Sequence, residues 1–301
     1  MELLRALAAL SERPDLAHEG IARALELPGS LEPAAYTDIF TLQLYPYAAV
    51  YLGAEGMLGG EACDRVAGFW RALGVVPPAE PDHLATLLAL YAGLRERADA
   101  EDDAKRRAAR EHASAALLWE HVLPWVPLYA RKVSAISRSE GYRAWARMLE
   151  EALAAQTDGD RGISELPLHL REAPPLTDPR VEGADAFITA LLAPARSGYI
   201  LVRDDFRRAS RELGLGLRHG ERRFVLKALL AQDHAATLDW LAAEARAAVV
   251  TYRGIASLPA AIASFWTARA AAAAELLTEL AATSTTRTFS EDALLHTGAA
   301  R

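Results

Sequence analysis

The chain lacks most of what stapled, membrane-bound or catalytic proteins display. Cysteine occurs once, at Cys63. No internal disulfide can form, and a reducing compartment suits such a chain. No apolar run is long enough to span a bilayer, because Arg, Glu or Asp interrupts every Ala/Leu stretch. The opening Met1-Glu2-Leu3-Leu4-Arg5 has no basic region of signal-peptide type, and Glu12, Arg13 and Asp15 follow at once, so a cytoplasmic location is expected. Alternating strand patterns are almost missing; Tyr199-Ile200-Leu201-Val202 is the one β-like tetrad, too short to found a sheet. An excess of positive charge is missing as well. The 33 basic residues are outnumbered by 40 acidic ones, for a net charge of −7. That balance argues against a nucleic-acid binder and for a cationic partner.

Catalytic signatures are also absent. The sequence has no P-loop, no His-Glu-x-x-His and no Gly-x-Ser-x-Gly. Gly214-Leu215-Gly216-Leu217-Arg218-His219-Gly220 has the wrong spacing for a dinucleotide turn and no preceding strand, and reads as an inter-helix turn. Cys63 has no cysteine partner for a metal and reads as packing. Asp102-Asp103 and Asp204-Asp205 invite comparison with the Mg²⁺ sites of helical isoprenoid enzymes. Each is followed by cations (Lys105 and Arg106; Arg207 and Arg208) and lacks a third carboxylate one turn on. Surface ion pairs explain them better. No enzyme, metal or cofactor is expected.

What is present is helical periodicity. Val66, Phe69, Trp70 and Leu73 recur at i, i+3, i+4 and i+7; Leu84, Leu87, Leu88 and Tyr91, and Tyr142, Trp145, Leu149 and Leu153, do the same. Ile262, Phe265 and Trp266, with Leu276, Leu277 and Leu280, mark a long Ala-rich helix near the end. Alanine, leucine, glutamate and arginine, all good helix formers, dominate these segments. The fold class predicted is all-α, a bundle of roughly ten or more helices. Pro77-Pro78 and Pro81 break the chain, which predicts Asp82 as the cap of the helix carrying Leu84 to Leu94; Asp233 takes the same part before Leu238. Gly74 is placed where a left-handed cap is needed. The mixed-charge stretch Asp99 to Arg110 reads as a solvated face with i,i+4 pairs. Gln156 to Arg180, rich in Gly, Asp and Pro, reads as a linker or hinge. The expected division is 1–155, a linker at 156–180, a C-terminal helical region at 181–283 and a disordered tail at 284–301. A hinge would also allow exchange of halves between protomers, hence a homodimer.

One stretch opposes the acidic balance. From Arg203 to Lys227, eight basic residues (Arg203, Arg207, Arg208, Arg211, Arg218, Arg222, Arg223, Lys227) face four acids (Asp204, Asp205, Glu212, Glu221). Ser210-Arg211-Glu212-Leu213-Gly214-Leu215 followed by a helix gives an alternative reading: a DNA-binding regulator with a helix-turn-helix-like segment at 203–230, using Arg222, Arg223 and Lys227. A helical hairpin with a basic face is the preferred reading in this acidic chain.

Three short segments in the first half carry more information. Tyr45-Pro46-Tyr47-Ala48-Ala49-Val50-Tyr51-Leu52 sets tyrosines around a proline. Pro81-Asp82-His83-Leu84 puts an acid beside an imidazole at a helix start. Trp119-Glu120-His121-Val122-Leu123-Pro124-Trp125-Val126-Pro127 places Pro124 where it kinks or ends a helix. Singly, each is explained by packing or capping. Together and in this order they resemble the TorD/DmsD/NarJ family of redox-enzyme maturation chaperones, over about residues 30 to 155. This chain departs from the pattern at Thr86-Leu87-Leu88, where members carry a Glu-Leu pair, and at Val122, where they carry Leu. The half after Arg180 holds no family motif.

The resemblance implies a TorD-like helical chaperone that binds the twin-arginine leader, and often the body, of a molybdenum-cofactor oxidoreductase subunit and holds it until cofactor insertion and export. Such a leader joins two guanidinium groups to an apolar helix-forming stretch. Carboxylates beside an aromatic groove suit it. On this reading Asp82 and Glu120 are the acids, Tyr45, Tyr47, Tyr51, Trp70 and Trp125 line the groove, and His83 and His121 tune or bridge. Asp82 and His83 rank first, because a capping loop is expected to be exposed.

Overall fold

The computed structural model describes residues 1–157 and 166–296, with side chains described to residue 283. Among the described residues every regular element is a helix and no strand is present. The chain divides into two compact units. Unit 1 is Met1–Ala173 with Gly254–Phe265, and unit 2 is Pro174–Arg253 with Trp266–Arg301. The first boundary thus lies between Ala173 and Pro174, within the stretch 156–180. Sequence gave no sign that Gly254–Phe265 returns to the first unit.

Unit 1 contains α1 (Glu2–Ala9), α2 (Leu16–Ala24), α3 (Pro33–Tyr36), α4 (Ala48–Leu52), α5 (Gly60–Ala72), α6 (Leu84–Asp99), α7 (Ala104–Leu117), α8 (Val126–Ile136), α9 (Glu140–Thr157) and α10 (Leu168–Arg171). Thr37–Thr41 and Leu118–Val122 are wound as π-helical turns. Two of the periodic sets read from sequence face inward, Leu84, Leu87, Leu88 and Tyr91 of α6 and Tyr142, Trp145, Leu149 and Leu153 of α9 all being buried, whereas on α5 Val66 is buried and Phe69, Trp70 and Leu73 are half-buried. α8 and α9 pair as a hairpin, and α6 packs on both α1 and α7. Phe40 fills the centre, edge-on to Tyr142 at 5.0 Å and to Trp145 at 5.5 Å, while Trp145 Nε1 donates to the Leu7 carbonyl at 2.9 Å. Buried rings of this size dominate core energetics. Gly74, at φ +74°, ends α5 in the left-handed conformation the sequence called for. Between α6 and α7, Arg107 donates to the Glu101 carbonyl and Arg110 pairs with the Glu101 carboxylate, so the charged stretch is bound across the turn rather than by i,i+4 pairs along one face.

Unit 2 contains α11 (Pro179–Glu182), α12 (Ala184–Leu191), α13 (Pro194–Ser197), α14 (Arg203–Leu213), α15 (Arg222–Gln232), α16 (His234–Arg253) and most of α17 (Ala260–His296). Its core joins Phe187, Leu191, Phe206, Leu226, Leu229, Leu241 and Leu277. Tyr199–Val202 is buried but is not a strand. Gly198 has φ +82°, and a Cβ there would come within 2.2 Å of the Ala270 backbone nitrogen, so only glycine lets this turn approach α17. α17 continues to His296 through the segment 284–301 expected as a tail; the side chains beyond residue 283 and all of residues 297–301 lie outside the described residues, as do residues 158–165 of the expected linker.

Candidate functional site

The three motif segments converge within unit 1. Tyr47 and His83 form an isolated antiparallel bridge, closed by Ala48 N–H donating to the Asp82 carbonyl at 3.0 Å and Leu84 N–H donating to the Pro46 carbonyl at 2.8 Å. Their rings meet edge to face at 4.8 Å. The third segment joins through Tyr51, whose ring stacks on Trp125 at 5.0 Å with 7° between planes. Tyr51 also donates its hydroxyl to the Tyr45 carbonyl at 2.9 Å, and Trp125 Nε1 donates to the His121 carbonyl at 2.9 Å.

Convergence here means packing. Tyr51 is 2% exposed, Trp125 1%, Asp82 3% and His83 6%. The expectation that Asp82 caps the helix beginning at Leu84, and that its loop is exposed, is corrected on both counts. Asp82 Oδ2 accepts from Ala49 N–H at 3.0 Å and so caps α4, a helix distant in sequence, while His83 Nδ1 accepts from Ala85 N–H at 3.1 Å and caps α6. Cys63 lies against the Asp82 carboxylate; burial first, and then that negative charge, push its thiol up to about 11. Burial keeps His83 neutral by lowering its pKa despite nearby Glu80, Glu12 and Asp82. Tyr47 is half-buried, and its hydroxyl donates to Glu80 Oε1 at 2.8 Å. This corner is a sealed, satisfied joint.

The Glu120–His121 corner differs. It sits on the π-turn Leu118–Val122, where Leu123 N–H donates to the Leu118 carbonyl at 2.8 Å, five residues back. Such a turn re-aims side chains that a regular helix would point elsewhere. Pro124 follows and ends the winding before α8. His121 is buried, edge-on to Phe69 of α5 at 5.2 Å. Burial, with Arg65 adding like-charge repulsion, lowers its pKa to about 4. Glu120 keeps 40% of its side chain exposed, and burial of the remainder raises its pKa while Arg171 and Arg65 pull it down. His169, from α10, completes the cluster: its Nδ1 lies 3.9 Å from Glu120 Oε2, and burial, Arg65 and His121 lower its pKa to about 3. Its Nε2 is buried with no hydrogen-bond partner among the described residues. His169 and Arg65 were missed by sequence reasoning. His169 stands in a proline-rich stretch without periodicity, and no local signal connects it to Glu120.

Trp70, next to Phe69 on α5, faces another way. Successive helical residues project about 100° apart. Trp70 Nε1 donates to the Pro81 carbonyl at 3.4 Å, and its ring walls an open groove of about 590 Å³. Ala8 of α1 and Ala85, Ala89 and Leu94 of α6 line the groove with Val75 and Pro78, and exposed Glu12 lies among its lining residues. Thus Glu120 and Trp70 keep exposed surface, Tyr45 and Tyr47 are half-buried, and Asp82, His83, His121, Tyr51 and Trp125 are buried.

The other acidic and basic motifs are accounted for locally. Asp103 Oδ1 accepts from Arg106 N–H at 2.9 Å, and Asp205 Oδ2 from Val202 N–H at 2.8 Å. Among the described residues no cluster of three or more His, Cys, Asp or Glu side chains could hold a metal. The DNA-binding alternative loses its footing. Loop 214–221 between α14 and α15 is longer than the three or four residues of a helix-turn-helix. Arg222 donates to the Leu201 carbonyl at 2.8 Å, and Lys227 and Arg223 both pair with Asp185, at 2.5 and 3.5 Å.

Residues 8–131, which include all three motif segments, match the family model described as nitrate reductase delta subunit. No curated protein and no solved structure matches the chain. No helix among the described residues is long and apolar enough to cross a membrane.

Proposed function

We propose, from the match of residues 8–131 to the nitrate reductase delta subunit family and the order of the three motif segments within it, that this protein is a molybdoenzyme maturation chaperone of NarJ/TorD type and binds the twin-arginine leader of a molybdenum-cofactor oxidoreductase subunit. It holds the subunit in the cytoplasm until cofactor insertion and export. The mechanism is affinity rather than bond chemistry. Glu120, the motif carboxylate left half-exposed, receives a leader guanidinium, to which a carboxylate can offer two parallel acceptors. The apolar stretch of the leader lies in the groove walled by Trp70, in the manner of a helix laid into an apolar groove.

The observation that supports this reading is that one helix, α5, sets Phe69 against His121 beside half-exposed Glu120 and, one residue on, sets Trp70 in the wall of the groove. Contact with the body of the client and association into a homodimer belong to the same reading. The test is a calorimetric titration of a synthetic twin-arginine leader peptide into the full chain. Glu120→Gln and Trp70→Ala are each expected to weaken binding about tenfold or more, the loss of one charge-assisted contact or one aromatic wall. Unchanged affinity in both variants would sink the proposal.

A further inference from the structure

The short helix α10 lies beside Glu120 and shares its composition, an arginine next to leucines, with the leader proposed above. Leu168-His169-Leu170-Arg171 places an arginine among leucines at the Glu120–His121 corner. Leu170 is fully buried and His169 is 7% exposed, so the segment is anchored in unit 1, while Arg171 is exposed and its charge acts on the Glu120 carboxylate. We propose that Leu168–Arg171 is an internal stand-in for the leader, seated on the Glu120 corner, which an incoming leader displaces. This rests on the leader-binding reading and adds to it an autoinhibitory contact.

The seat is built to be left. Leu170 N–H and Arg171 N–H both donate to the Pro167 carbonyl, at 2.9 and 3.1 Å, and Glu172 N–H donates to the Leu168 carbonyl at 3.0 Å. These backbone bonds are internal and survive displacement. Pro167 before the segment and Pro174-Pro175 after it prevent helix from propagating through either end. Docking also leaves His169 Nε2 buried and unpaired, a cost that undocking removes. Around the segment, Arg65 of α5 and Glu120 and His121 of the π-turn, with Glu172 beside it, form a mixed-charge surround. In that surround an arginine competes for Glu120 against Arg65. A ligand site closed by its own chain for part of the time shows an apparent affinity reduced by that fraction.

The experiment uses the full chain and a synthetic peptide carrying two adjacent arginines followed by an apolar stretch. Amide hydrogen exchange over residues 168–172 is expected to accelerate when the peptide saturates the protein. Arg171→Ala, at an exposed position, is expected to tighten peptide binding several-fold with the circular-dichroism spectrum unchanged. Peptide binding with equal affinity to wild type and Arg171→Ala, with exchange over 168–172 unchanged, overturns the stand-in and leaves the leader reading in place. Failure of both proteins to bind the peptide overturns the leader reading, and the stand-in with it.

Discussion

The two acid–imidazole corners of unit 1 look alike in sequence and are opposites in space. Asp82-His83 and Glu120-His121 each set a carboxylate beside an imidazole in a motif segment. At the first, the carboxylate caps α4, the imidazole caps α6 and both are buried. At the second, the carboxylate stays half-exposed, and the pair of buried imidazoles includes one with an unsatisfied nitrogen. Backbone satisfaction makes the difference. A buried acid persists where helix N–H groups need an acceptor, and an acid without such a task remains available to a ligand. The same residue pair therefore marks a buried joint in one place and a half-exposed carboxylate in another.

The comparison can be broken by substitution. The largest effect is expected at the junction of the first and third segments: Trp125→Ala empties a fully packed site stacked on Tyr51. A loss of about 3–5 kcal/mol would appear in denaturant unfolding. Asp82→Ala removes the α4 cap and leaves Ala49 N–H unpaired. It should cost about 1–3 kcal/mol, read as a lower denaturation midpoint with an unchanged slope. Stability near wild type would show that the joint is not structural.

Acid should act on the second corner. His121 and His169 are held near 4 and 3 in the folded state, against about 6.5 when unfolded. The unfolded chain therefore binds more protons once pH drops below 6.5, and stability falls with pH until the folded values are reached. Each imidazole contributes a slope of up to about 1.4 kcal/mol per pH unit in that window. His169→Gln should reduce the slope by one proton, and a pH profile identical to wild type would contradict the burial of this ring. The smallest stability effect is expected for Glu120→Gln, within about 0.5 kcal/mol because the group is half-exposed and caps nothing. If Glu120→Gln destabilises as much as Asp82→Ala, the contrast between joint and site is void.

Much of this architecture was legible beforehand. The i, i+3, i+4 patterns at Leu84–Tyr91 and Tyr142–Leu153 found buried faces, and Gly74 found a left-handed cap, because both depend on chemistry local to one helix. The partner of Asp82 was not legible. Its place in the sequence points Asp82 to the adjacent helix, yet a bridge between Tyr47 and His83 carries it to α4, 33 residues back. His169 was invisible for the same reason, since its neighbours arrive from α5 and the π-turn. Likewise, the basic residues at 203–227 looked available in a linear count, and the fold brings Asp185 and Glu244 to Lys227 and Arg208.

Sequence alone determined the all-helical class, the buried stripes and the order of the three motif segments, because helix periodicity and local breaking by proline act over a few residues. Only the tertiary structure decided which motif residues are joints and which stay open to a ligand. Exposure and hydrogen-bond satisfaction are set by groups that approach from distant parts of the chain.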